Sequence, residues 1–205
     1  MRKSISILFF LLSSCAATKA EAEEPSVVKV IGINKDASFY RCTGFVIDRD
    51  AVLTSAHCAV ADRVMVVNGK KVEKAFIFEG FNLKVVGEKD VAVLFVKDAN
   101  FNVPRCRLSF KLPKSKFLIT KGYPTEELAT SYLDLRIADN NVIILNGAAF
   151  QGMSGGPVFD SACNIYGILS FTDGVNTAGA APLNQETINW INSLRRQKEK
   201  SENTE

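Results

Sequence analysis

Val64-Met65-Val66-Val67-Asn68-Gly69, followed by the run Val72–Phe78, decides the class of fold. Both runs are rich in β-branched and apolar residues, and Asn-Gly is the pair that best tolerates positive φ at both central positions of a tight hairpin turn. Outward from this hairpin the same punctuation recurs. Val27–Ile33, Thr43–Ile47, Val52–Ser55 and Val91–Val96 are further short strand-like runs. After the linker Asp98–Pro104 come Phe117–Lys121, Tyr132–Ile137, Val142–Leu145, Pro157–Phe159, Tyr166–Phe171 and Ala178–Pro182. Six strands, a linker and six more predict an all-β protein: two small barrels, over residues 27–104 and 105–183, or one larger sandwich. Ile188, Ile191 and Leu194, with Trp190 beside them, share one helical face and predict a single amphipathic helix over residues 184–196. The charged segment 197–205 is expected to be a disordered tail.

Composition excludes several classes. The chain has 205 residues, 47% hydrophobic and 23% charged, so wholesale disorder is ruled out. No apolar run reaches the ~20 residues that a membrane-spanning helix needs. Lys and Arg number 25 against 22 acids, for a net charge of +3, which gives no field suited to nucleic acid. His57 is the only histidine, so mechanisms needing two imidazoles are excluded, and no metal or other cofactor is expected.

Residues 1–15, MRKSISILFFLLSSC, have the layout of a signal peptide: Arg2 and Lys3, the apolar stretch Ile5–Leu12, then small residues. Leu12-Ser13-Ser14-Cys15 resembles a bacterial lipobox, in which Cys15 would be lipidated and could attach the protein to a membrane. Ordinary cleavage after Ala20 or Ala22 is the alternative. Both predict export from a bacterial cell, as a periplasmic or outer-membrane lipoprotein or as a secreted protein. Residues 16–26 read as a polar tether. The other cysteines, 42, 58, 106 and 163, are even in number and suit two disulfides in an oxidising compartment.

Three segments could carry chemistry. Leu53-Thr54-Ser55-Ala56-His57-Cys58 ends an apolar strand with the sole imidazole. Gly152-Met153-Ser154-Gly155-Gly156-Pro157 surrounds one serine with glycines, whose freedom at positive φ allows backbone N–H groups to be aimed at one point. Asp90-Val91-Ala92-Val93-Leu94 places an acid at the mouth of an apolar strand. Taken singly, these are a packing histidine, a Gly-rich turn and a solvated turn acid.

Together, TSAHC, DVAVL and GMSGGP, in that order and separated by 33 residues (57 to 90) and 64 residues (90 to 154), resemble the chymotrypsin/trypsin-like serine proteases, in particular their short bacterial members. Cys42-Thr43-Gly44, Gly167–Phe171 and the closing helix with Thr187–Ile191 agree, so the resemblance spans about residues 27–196. It implies two six-stranded antiparallel β-barrels with a C-terminal α-helix. It implies that His57, Asp90 and Ser154 form a triad working through an acyl-enzyme, with Ser170 orienting Asp90 and the amides of Gly152 and Ser154 binding the oxyanion. It also implies a Cys42–Cys58 disulfide, which leaves Cys106 and Cys163 as the second pair. The substrate would be a protein or peptide, and the enzyme a monomer.

Two departures matter. Trypsin-like zymogens carry an aspartate just before the nucleophile to receive a newly freed N-terminus; here that residue is Met153, and no Ile-Val-Gly-Gly start is present. The expectation is an enzyme that matures without inserting its N-terminus, the alternative a weakly active or inactive binding module. The substrate pocket is assigned to Ala148, Ala149, Ser170, Phe171 and Thr172. With no charge on its floor and Thr172 at its mouth, it predicts small or medium apolar residues before the scissile bond.

Overall fold

A computed structural model describes residues 24–61, 64–82 and 87–202. The strands are β1 (Val27–Ile33), β2 (Phe39–Asp48), β3 (Ala51–Thr54), β4 (Val64–Val67), β5 (Lys70–Ile77), β6 (Ala92–Val96), β7 (Arg107–Leu108), β8 (Phe117–Gly122), β9 (Ala129–Ala138), β10 (Ile143–Asn146), β11 (Pro157–Phe159), β12 (Asn164–Thr172) and β13 (Thr177–Pro182), followed by the helix α1 (Gln185–Glu202). The first six strands close into an antiparallel barrel in the order β1-β2-β3-β6-β5-β4, sealed by β1 against β4. The order β11-β8-β9-β10-β13-β12, closed by β11 against β12, makes the second. Two barrels, and not a single sandwich, are therefore the architecture. The short β7 has no counterpart among the strands expected from sequence; it adds to β12 in parallel at Asn164 and Ile165.

The alternation of side chains across strands explains why two barrels can share one core. Along β3 and β6 every residue is buried. Val52, Leu94 and Val96 point into the first barrel with Val28, Val30 and Val67, whereas Ala51, Leu53, Val93 and Phe95 face the opposite way. There they meet Phe159 and Ile168 of the second barrel and Ile188, Ile191 and Leu194 of α1. A strand buried on both faces reads as an unbroken apolar run, as these do. The second barrel has its own interior of Leu118, Leu133, Ile143, Leu145, Val158 and Leu169. Each such side chain stabilises by roughly 1.5–3 kcal/mol on full burial.

The C-terminal segment differs from expectation. Residues 197–202, read from their charge as part of a disordered tail, continue α1 to Glu202. The physical reason is local: Lys198 pairs with Asp50 and its ammonium lies 5.0 Å from the Phe95 ring, while Arg195 pairs with Asp48 at 2.7 Å. Gln, Lys and Glu are also good helix formers. The signal peptide with Cys15, the tether up to residue 23, and residues 203–205 lie outside the described residues. From Glu24 the chain is fastened: Glu24 pairs with Lys121, and Ser26 O accepts the Val46 amide at 2.8 Å.

Candidate active site

The imidazole enters the cleft on a single 3₁₀ turn, Ala56–Ala59, that follows β3. Cys58 in this turn is bonded to Cys42 of β2, with 6.0 Å between their Cα atoms. A cross-link spanning 16 residues stabilises by about 3 kcal/mol in the chain-entropy account. Its second effect is local, since it fixes the turn that carries His57. Cys106, just ahead of β7, is bonded to Cys163 in the turn between β11 and β12 and closes a larger loop of the second barrel.

Asp90 precedes β6, where Lys89 at φ +53° turns the chain so that the carboxylate points inward. It is 2% exposed. Its Oδ1 accepts the His57 amide at 2.9 Å, and its Oδ2 lies 2.7 Å from His57 Nδ1. The Ser170 hydroxyl of β12 donates to the same Oδ2. Burial works to raise the Asp90 carboxyl, but the hydrogen bond and charge of His57, aided by Ser170 and the His57 amide, outweigh it. The net result is a pKa below the usual carboxylate value. An ionised carboxylate is acceptor only, so the ring proton sits on Nδ1 and Nε2 is left to accept.

Ser154 lies in the loop between β10 and β11. The first barrel holds this loop through backbone and hydroxyl hydrogen bonds. The Thr43 amide donates to Ser154 O at 2.7 Å, and Thr43 Oγ1 donates to Gly152 O at 2.8 Å while accepting from the Tyr123 amide at 2.9 Å. Ser55 Oγ donates to Leu169 O at 2.8 Å, and the Gly155 amide reaches the same carbonyl at 2.7 Å. The Ser154 carbonyl is also 3.8 Å from Cys58 Sγ, one residue from the imidazole. Among the described residues no hydrogen bond joins the Ser154 hydroxyl to His57, a bond that in unliganded sites is often long and tightens with substrate.

The loop's amides divide into two sets. Met153 N donates to Phe150 O (3.0 Å), Gly155 N to Leu169 O and Gly156 N to Met153 O (2.9 Å). The amides of Gly152 and Ser154 have no acceptor among the described residues. Gly152 at φ +95° and Gly155 at φ +88° make this path possible. A Cβ on Gly155 would stand 1.9 Å from Thr43 O, so the close approach of the two barrels requires glycine there.

Met153 is fully buried among Leu118, Leu133, Leu145 and Val158. The residue before the serine is thus anchored by apolar packing.

The residues that the sequence assigns to a substrate pocket lie on two segments joined by a hydrogen bond. Ala148 and Ala149 belong to the serine loop, with Ala149 buried; Ser170, Phe171 and Thr172 end β12. Thr172 Oγ1 donates to Ala149 O at 2.8 Å, tying the two segments together, and the Phe171 ring lies on Gly179 of β13.

The sequence reading did not single out Thr43 and Ser55. Both are buried hydroxyls, Thr43 next to Cys42 and Ser55 two residues before His57. A buried hydroxyl needs a partner, and that need was the available signal.

No curated protein matches this chain by sequence. Among solved structures, the active form of the Rv3671c protease from M. tuberculosis superposes with a TM-score of 0.63 at 23% identity, over 78% of this chain and 77% of that one. A thermostable serine protease, AL20, from an extremophilic microorganism gives 0.63 at 16% identity, over 82% and 96%. HL collagenase gives 0.67 at 18% identity, over 83% and 93%. At these identities the likeness concerns the fold. The family model for the trypsin-like peptidase domain matches residues 42–168, more than half of the chain and a stretch that includes the imidazole, the buried acid and the serine loop, so the chain belongs to the trypsin-like peptidase domain family.

Proposed function

We propose that the protein is an exported serine endopeptidase. His57 Nε2 takes the proton of Ser154 Oγ as that oxygen attacks the substrate carbonyl carbon. The electron pair of the C=O bond moves onto oxygen, where the amides of Gly152 and Ser154 receive the charge. The pair then returns to re-form C=O, the C–N bond breaks, and the imidazolium gives its proton to the leaving amine. Water repeats the sequence on the acyl-enzyme, restoring Ser154. Asp90 holds the imidazole in the needed tautomer and stabilises its cation. Each oxyanion donor contributes roughly 3 kcal/mol in enzymes of this chemistry.

The observation that carries this reading is the double grip of a buried, ionised Asp90 on the sole imidazole, beside a serine loop whose Gly152 and Ser154 amides have no acceptor among the described residues. The apolar anchoring of Met153 supports an enzyme whose loop needs no inserted N-terminus. A fluorophosphonate probe tests the assignment: the folded protein labels on Ser154, and Ser154→Ala does not. A folded wild-type protein that fails to label would instead be a binding module on a protease fold.

The uncharged Ala148 and Ala149, with the Thr172–Ala149 bond that joins their two segments, support small or medium apolar residues before the scissile bond. Strong cleavage after Arg in a peptide library would overturn this. The two disulfides and the leader-like residues 1–15 support export. Intact-mass measurement of the exported protein decides the route: an acylated Cys15 as the first residue supports a membrane-attached lipoprotein, and a start at Glu21 or Glu23 a soluble one.

A further inference from the structure

Ser154 sits between two strands: its loop bonds to β12 through Gly155 N and Leu169 O, and to β2 through Thr43 N and its own carbonyl. With the acyl part of a substrate placed along the end of β12, beside the residues assigned to the pocket, the departing part runs toward β2, the other strand that holds the Ser154 loop. The first side chain beyond the disulfide on that strand is Arg41. Its diagonal neighbour on the same face of the sheet is Lys29 of β1, since Ile31 pairs with Arg41 and Lys29 with Thr43.

These two cations converge on one carboxylate. Glu126 Oε2 is 2.6 Å from Lys29 Nζ, and Glu126 Oε1 is 2.7 Å from an Arg41 terminal nitrogen. Glu126 is carried by the loop that starts at Tyr123 and Pro124, the same backbone that a Cβ on Gly152 would strike at 2.6 Å and 3.1 Å. The cation pair therefore shares its acid with the loop that abuts Gly152, and Arg41 stands two residues from Thr43, whose amide bonds Ser154 O.

The partners are unequally held. The side chains of Lys29 and Arg41 are 26% and 29% exposed, that of Glu126 69%. Lys29 also lies over the Tyr123 ring, 5.2 Å from its centre. Arg41 Nε is buried without an acceptor among the described residues, so Glu126 alone does not satisfy the guanidinium. The bases are fixed by strands and packing, and the acid is an exposed loop residue that can leave.

We propose that Lys29 and Arg41 form a subsite for a carboxylate side chain of the substrate on the leaving-group side of the scissile bond, and that Glu126 fills it in the resting enzyme. The inference rests on the protease reading above. It assigns this enzyme a substrate class: peptides with Asp or Glu one to three residues after the cleaved bond.

The test uses internally quenched peptides that differ only at those three positions, carrying Glu, Ala or Lys. In the wild-type protein Glu at one position raises kcat/KM over Ala by roughly three- to tenfold and Lys lowers it, as expected for charge-assisted contacts at a partly exposed site. The preference shrinks as salt is raised toward 1 M. Glu126→Ala lowers KM for the Glu peptide, and Lys29→Met combined with Arg41→Met brings the Glu/Ala ratio to about one. A flat ratio at all three positions in both wild-type and Glu126→Ala protein overturns the subsite, as does a preference that survives the double variant. Fluorophosphonate labelling is run in parallel: labelling with a flat ratio sinks the subsite alone, whereas no labelling and no cleavage sinks the protease reading and the subsite with it.

Discussion

Asp90 grips His57 twice, accepting the backbone amide on Oδ1 at 2.9 Å and facing ring Nδ1 from Oδ2 at 2.7 Å. One contact sets where the residue stands in the cleft; the other sets which ring nitrogen carries the proton. Asp90→Asn separates the two. The asparagine oxygen can still accept the backbone amide, but its NH₂ group then faces Nδ1 and selects the wrong tautomer. The expected result is a loss of kcat of about 10⁴-fold near neutral pH with little change in fold. Retained wild-type turnover, read with a peptide substrate, would contradict the role given to Asp90.

The same carboxylate carries an acid dependence. Its pKa in the folded protein lies below the unfolded value, so between the two the unfolded chain binds the extra proton and stability rises with pH. The contribution is present in full above about pH 4 and is lost as pH falls through the depressed folded value. Urea unfolding of wild type and Asp90→Asn from pH 2 to 6 should show the wild-type advantage narrowing toward the acid end. Parallel curves would contradict it.

Much of this site was legible because its chemistry is local in sequence. His57, Asp90 and Ser154 each sit in a turn or loop that flanks a short apolar strand, and those strands are short enough for their patterns to be read. What escaped was set by tertiary contact. The continuation of α1 to Glu202 depends on Lys198 meeting Asp50 and Phe95, about 100 or more residues earlier in the chain. Strand β7 exists only because β12 offers its edge. Thr43, which bonds Gly152 and Tyr123 at once, looks in sequence like any strand threonine.

Thr43 provides the next prediction. Thr43→Val keeps the volume and the β-branched shape while leaving Gly152 O and the Tyr123 amide without this partner. Orphaning buried backbone groups costs about 1–3 kcal/mol each. Thermal unfolding should register that loss, and fluorophosphonate labelling should slow by roughly tenfold, because a misplacement of about 1 Å in catalytic geometry can cost up to 10²-fold. A variant that loses stability yet labels at the wild-type rate would show that the hydroxyl supports the fold alone.

Met153 lets the need for a freed N-terminus be tested. It is fully buried between Leu118, Leu133 and Leu145. Met153→Asp puts a carboxylate there with no cation, at a cost of about 3–5 kcal/mol, the range for an uncompensated buried charge. Met153→Leu conserves apolar volume and should cost under about 1.5 kcal/mol with labelling retained. If Met153→Asp were instead tolerated and active, the loop would have a source of positive charge, and the apolar-anchor account would fall.

At alkaline pH a phenol on β12 couples ionisation to stability. Tyr166 of β12 donates to Asp160 Oδ2 at 2.7 Å. Burial first, then the hydrogen bond and charge of Asp160, push the phenol up to about 12. An unfolded tyrosine titrates near 10. Between those values unfolding releases a proton, so rising pH favours the unfolded chain. The contribution is complete below about pH 10 and disappears as pH climbs through the folded value. Tyr166→Phe lacks both the hydrogen bond and the ionisation. Its denaturation midpoint should lie below wild type at pH 8, and the gap should close toward pH 12. A gap that stays constant across that range would mean that Asp160 does not hold the phenol protonated.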